Sequence, residues 1–104
     1  MFEIYIDPGV KRFMLSLNMD TRAKVDRNIG LLEEFGYQLG MPHTKKVSAQ
    51  LFELRIQGQL EVRIFYCFHN NMIKLLHGFV KKSQKTPARE LSKAYNKYRA
   101  LDEI

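Results

Sequence analysis

The chain has 104 residues, 45% of them hydrophobic, which suits a single domain with one continuous core over residues 1–104. No stretch approaches the roughly 20 apolar residues of a membrane span, and Met1 to Asp7 has neither the basic region nor the long apolar region of a signal peptide, so the expected setting is the cytoplasm, away from membranes. The formal net charge is +6 with pI near 9.6, and the lone cysteine, Cys67, excludes an internal disulfide and agrees with a reducing compartment.

Phe2 to Ile6 alternates as a short strand, and Asp7-Pro8 then reads as a helix cap with proline at the first helical position. Val10, Phe13, Met14 and Leu17 recur at helical spacing. Asn18 to Asp20 interrupts the pattern, and Asp20 is suited to cap a second helix carrying Val25, Ile29, Leu32 and Leu39 on one face, with Gly36, Gly40 and Pro42 as stop signals. The two helices are expected to form a hairpin. Met41 to Gln50 has neither helical nor strand periodicity and reads as a loop.

Three strand-like runs follow, Leu51 to Gln57, Glu61 to Phe68 and Met72 to Val80, linked through Gly58 and Asn70-Asn71. Links this short demand antiparallel neighbours. The third run is apolar almost throughout, as a strand covered on both faces should be. Thr86-Pro87 is a second cap-plus-proline signal, and Leu91, Ala94, Tyr95, Tyr98 and Leu101 give a last helix its apolar face. The predicted order is β-α-α-β-β-β-α, an α+β fold with helices gathered on one side of a small antiparallel sheet.

The positive charge is concentrated in the second half. Residues 1–50 carry seven Lys/Arg against six Asp/Glu, whereas residues 51–104 carry ten against five, and from Lys74 to Arg99 there are eight bases and one acid, Glu90. Clustered cations suit phosphates, since each neutralised phosphate releases condensed counterions; a solvated surface or an acidic protein partner fits the charge alone equally well.

Strand alternation sorts these charges. Glu53 and Arg55 share one face, which is expected to be exposed, opposite Phe52, Leu54 and Ile56. Arg63 shares its face with Phe65 and Cys67. If Val62 and Ile64 face the helices, Arg63 joins Arg55, and the two guanidiniums can grip phosphate oxygens in bidentate fashion. The alternative is a structural ion pair of Arg63 with Glu53 or Glu61.

Lys81, Lys82 and Lys85 place three ammonium groups at the exit of the last strand, beside a helix N-terminus that itself favours anions. Arg89, Lys93 and Lys97 form a stripe that is either solvated or contacts RNA. His77, inside an apolar strand, is either a satisfied core residue or a catalyst. His43 and His69 sit in or near turns and are expected to be exposed, and Cys67 is read as a small strand hydrophobe. No His, Cys or carboxylate spacing matches a metal site, so neither metal nor cofactor is expected.

The runs Leu51-Phe52-Glu53-Leu54-Arg55, Glu61-Val62-Arg63-Ile64-Phe65-Tyr66 and Leu75 to Pro87, together with the order of elements, resemble the RelE/ParE toxin superfamily, in particular its HigB-like, phage-associated branch. The resemblance implies the toxin of a type II toxin-antitoxin system, an mRNA interferase that enters the ribosomal A site and cuts mRNA. It further implies a cognate antitoxin, a HigA-like helix-turn-helix protein, with DNA contacted only through the toxin-antitoxin complex. By the same resemblance Arg55 matches the second basic residue of the family's first meander strand, and Arg63 the arginine that contacts the scissile phosphate. Lys81 or Lys82 falls where the family has a basic residue after its last strand. Glu53 stands where RelE has a lysine, and Ala88 lies near the position of RelE's tyrosine, with Tyr95 two turns later.

Metal-independent cleavage requires a base for the 2′-hydroxyl, stabilisation of a pentavalent phosphate and an acid for the leaving 5′-oxygen. Arg63 and Arg55 suit the second task. Glu53, His77 or a lysine among crowded cations suits the first, and Lys82 or His77 the third. Lys81, Lys82, Lys85 and Arg89 are the expected RNA contacts. Two rival readings are a ParE-like toxin that inhibits DNA gyrase and a non-catalytic RNA- or protein-binding module.

Overall fold

A computed structural model of the chain describes residues 1–101. In chain order the elements are β1 (Glu3–Ile6), α1 (Pro8–Leu15), α2 (Met19–Phe35), a 3-10 turn (Gly36–Gln38), β2 (Thr44–Lys46), β3 (Phe52–Ile56), β4 (Val62–His69), β5 (Met72–Val80) and α3 (Ala88–Ala100). The α+β class and the order of helices and long strands agree with the sequence reading. No helix among the described residues is long and apolar enough to cross a membrane.

Local chemistry sets the helix boundaries. The Asp7 carboxylate accepts a hydrogen bond from the Gly9 backbone N–H at 2.9 Å, and Pro8 follows it into α1. The second helix is capped by Asn18, whose Oδ1 accepts from Thr21 N–H at 2.8 Å; Asp20, the expected cap, lies inside the first turn. α2 stops at Gly36, which adopts φ 52° with its backbone against the Phe2 ring. At α3 the cap position belongs to Pro87 rather than Thr86, and no side chain bonds the helix start.

The sheet runs β1-β5-β4-β3-β2. Three of its pairings are antiparallel, but β1 lies parallel to β5, with Glu3 opposite Met72 and Ile6 opposite Leu75, so the sheet is mixed rather than purely antiparallel. Two helices separate β1 from the meander, so no tight turn dictates its direction. Asn70 and Asn71, at φ 53° and 61°, make the two-residue turn between β4 and β5. The segment read as a loop contains β2, whose three residues form the sheet edge beside β3.

Helices cover both faces of the sheet, not one. On one side α1 and α2 bury Val10, Val25 and Leu32 against Leu54, Ile64, Tyr66 and Leu75. On the other, Ala94 of α3 packs with Leu91 and Tyr95 over Phe65, Cys67, Leu76 and Phe79. This two-sided burial explains why β5 is apolar almost throughout. A shift in register between Phe65 and Tyr66 places His77 opposite Phe65 and Leu75 opposite Tyr66, so Leu76 and His77 both turn towards α3. Burial raises the Tyr66 hydroxyl to about 12, against a hydrogen bond with Thr44, and the Cys67 thiol to about 11, against the Lys74 charge. Cys67 is thus a protonated core side chain, as its strand position suggested.

A Cβ at Gly36 would collide with the Phe2 ring in a backbone conformation unfavourable to L-residues, so Gly36→Ala should destabilise the fold by about 2 kcal/mol or more. Gly30, within α2, has open space where a Cβ would stand, and Gly30→Ala should stabilise by about 0.5–1 kcal/mol. Urea unfolding midpoints of the two variants check this opposition.

Candidate functional site

The site begins with register. Arg55 on β3 and Arg63 on β4 are direct cross-strand partners, and both point to the face that α3 covers farther along the sheet. Like charges placed opposite one another repel. Glu53, two residues before Arg55 and on the same face, lies between them: its Oε1 is 3.7 Å from Arg55 Nε and 3.5 Å from Arg63 Nε. Glu53 and Arg63 are 5% and 3% exposed, so the face expected to be open is in fact largely buried.

The Arg63 guanidinium is also engaged at its far end. Its Nη1 donates to the Val62 carbonyl at 3.1 Å and its Nη2 to Glu61 Oε1 at 3.3 Å. The structural ion pair entertained for Arg63 is therefore present, to both glutamates. Both arginine Nε atoms are buried and make no well-aligned hydrogen bond, which leaves them attracted to Glu53 by charge alone.

The β4-β5 ladder brings the third component into place. Lys81 N–H donates to the Glu61 carbonyl at 2.7 Å, one residue beyond the Val62–Val80 pair, so the strand exit is fastened beside Arg63. Ser83 Oγ donates to the Lys85 carbonyl at 2.8 Å and folds the following loop. The result is a cavity of about 550 Å³ lined by Arg55, Glu61, Arg63, Lys81, Lys82, Ser83 and Gln84. Four cations and one carboxylate face a single space, and guanidinium and ammonium groups so grouped have the donors and charge that suit an anion.

Of the residues singled out in the sequence, Arg55, Arg63, Lys81 and Lys82 line this one cavity. Lys85 lines an adjoining cavity with Glu53, Arg55 and Lys81. His77 is not part of this cluster. Its Nε2 lies 2.7 Å from Glu90 Oε1 on α3 and its ring stacks on Phe79, so it ties the helix to the sheet. Arg89 is also outside both cavities, its Nε 3.7 Å from Glu90. Tyr95 packs on the α3 core. His43 and His69 are half-buried rather than exposed, His43 near Asn28 and His69 near Lys74.

Three charged lining residues escaped the sequence reading as site members. Glu61 appeared there only as a possible partner of Arg63, and Lys45 and Lys46 lay in the supposed loop. Among the described residues no three His, Cys, Asp or Glu side chains come together as a metal site.

The fold is of the RelE type. The structure of a double arginine-to-alanine mutant of the Escherichia coli toxin RelE in the free state is similar over 96% of this chain and 97% of that chain, with a TM-score of 0.62 and 10% sequence identity. The chain itself belongs to the family described as Phage derived protein Gp49-like (DUF891), whose model matches residues 12–99. No curated protein sequence matches it.

Two outcomes follow from the geometry. Removing Glu53 leaves Arg55 and Arg63 facing one another in a buried setting, so Glu53→Ala should cost about 3 kcal/mol or more. Removing Glu61 from the exposed rim should cost about 1 kcal/mol or less, a contrast that denaturant melts resolve.

The Glu90 carboxyl responds to pH. Burial pushes its pKa up, but the hydrogen bond and charge of His77, with Lys93 and Arg89, outweigh burial and hold it below the ordinary 4.5. A lowered carboxyl pKa contributes stability that is present above 4.5 and lost as pH falls through the folded value. Glu90→Gln should therefore lower Tm near pH 7, with the gap to wild type closing below pH 4.5, whereas a gap constant with pH contradicts this role for the pair.

Proposed function

We propose that this protein is the toxin of a type II toxin-antitoxin system, of the HigB-like, phage-associated branch, and acts as a ribosome-dependent endoribonuclease that cuts mRNA in the A site. The observation that carries the reading is the convergence of Arg55, Arg63, Lys81 and Lys82 on one cavity at the strand ends. The RelE-type fold and membership of the Gp49-like family support it.

In the proposed reaction the 2′-hydroxyl loses its proton and attacks the adjacent phosphorus, the bond to the 5′-oxygen breaks, and that oxygen takes up a proton. The products are a 2′,3′-cyclic phosphate and a 5′-hydroxyl. Arg63 and Arg55 stabilise the charge that builds on the phosphorane, most effectively in a site shielded from water. Lys82, exposed at the cavity rim, reaches the leaving oxygen as the acid.

Glu53 is enclosed behind two guanidiniums and acts as a positioning residue, and His77 holds α3. Glu61 is the carboxylate that lines the cavity with access to solvent, its side chain 42% exposed, and in this reading it takes the 2′-hydroxyl proton. The ribosome supplies the in-line geometry, so modest protein catalysts suffice. A helix-turn-helix antitoxin is the expected inhibitor, and DNA is contacted only through the toxin-antitoxin complex. The whole chain, residues 1–104, acts as one cytoplasmic domain.

Induced expression with mapping of mRNA 5′ ends tests the reading. Wild type should arrest growth and produce new ends within translated messages. Lys82→Ala, an exposed substitution that leaves the buried Glu53 cluster intact, should reduce those ends by about 10²-fold or more. Growth arrest with intact messages and broken chromosomal DNA would instead favour gyrase inhibition.

A further inference from the structure

The phosphate cavity does not end at Arg55. A second cavity of about 320 Å³ adjoins it, sharing Arg55, Lys81 and Gln84 with the first and lined on its own side by Lys45, Lys46 and Lys85. The three lysines come from two distant segments, the β2 edge and the strand exit. The sheet places Lys45 opposite Glu53, on the face of the arginines, whereas Lys46 stands opposite Phe52 and lays its ammonium over that ring, 6.0 Å from its centroid, on the other face.

Among the described residues no carboxylate lies within ion-pair distance of Lys45, Lys46, Lys81, Lys82 or Lys85. The acid lining the second cavity, Glu53, is already committed to Arg55 and Arg63. The second space therefore has cations without internal counter-ions, and it runs directly into the first.

We propose that Lys45 and Lys85, with the shared Arg55 and Lys81, form a second phosphate subsite, so that a single RNA strand with one phosphate in the Arg63 cavity lays a neighbouring phosphate across the β2 edge. This deepens the ribonuclease reading and rests on it for the identity of the polyanion. Continuity favours a strand of evenly repeated charges over an isolated anion. The lining favours RNA over an acidic protein: Val47 is its one aliphatic side chain, whereas protein interfaces are built around an apolar centre.

The test is binding of fluorescent 2′-O-methyl RNAs of increasing length, which cannot be cut at the 2′-position, to wild type and the Lys45→Ala/Lys85→Ala variant over a range of salt concentrations. Circular dichroism checks that the variant is folded. Wild-type affinity should rise with length. The double variant should lose that rise, bind an octanucleotide about tenfold or more weakly, and show a salt slope shallower by about 1.4, from two lost phosphate contacts on a single strand.

Equal affinity and equal slope in the two proteins overturn the proposal. So does polyglutamate of matched charge competing as well as RNA. The outcome is separable from that of the proposed function: length-dependent RNA binding lost on substitution supports the subsite even if messages prove uncut in cells. Cleavage in cells with unaltered oligonucleotide binding by the double variant removes the subsite and leaves the nuclease.

Discussion

Two arginines directly opposite one another on neighbouring strands repel, and this sheet holds them together because the Glu53 carboxylate lies between them. Arg63 cannot withdraw into water, since the β4-β5 ladder on one side and the strand exit on the other enclose it. Taking charges out of water is expensive, and the cost is tolerable only where an opposite charge and further hydrogen bonds remain within reach. Glu53, Glu61 and the Val62 carbonyl supply these. The same arrangement pre-organises two guanidiniums before any ligand arrives, which is the condition under which electrostatic stabilisation of a transition state is most effective.

The site is assembled from pieces that the fold brings together at one end of the sheet. β3 contributes Glu53 and Arg55, β4 contributes Arg63, the exit from β5 contributes Lys81 and Lys82, and the β2 edge continues the basic surface. Two backbone hydrogen bonds fasten these pieces, Arg55 N–H to the His43 carbonyl at 2.8 Å and Lys81 N–H to the Glu61 carbonyl at 2.7 Å. Side chains positioned by strands and anchored exits are held more rigidly than side chains on free loops. α3 stands to one side of this cluster, fixed to the sheet by its apolar face and by the His77–Glu90 pair.

Much of this was legible in the sequence where a period of two applies. Alternation placed Glu53 with Arg55 and Arg63 with Phe65 and Cys67 on their true faces, and the almost wholly apolar run of β5 marked a strand covered on both sides. What escaped depended on tertiary context. Thr44 to Lys46 has no apolar alternation, because an edge strand of three residues with two exposed lysines needs none. Helical periodicity showed which face of α3 is apolar but not which face of the sheet receives it. The direction of His77 follows from the register shift opposite Phe65 and Tyr66, which no residue pattern announces. Burial of Glu53 likewise follows from what packs around it rather than from its own position in a polar-looking strand.

The account stands or falls on whether the Arg63 cavity acts on a phosphodiester. The most direct measurement is the chemistry of the ends left on a message incubated with purified protein and translating ribosomes. Cuts leaving a 2′,3′-cyclic phosphate on one fragment and a 5′-hydroxyl on the other, with Arg63→Lys strongly impaired, are the predicted result. Intact messages, or fragments carrying 5′-phosphates, would contradict it.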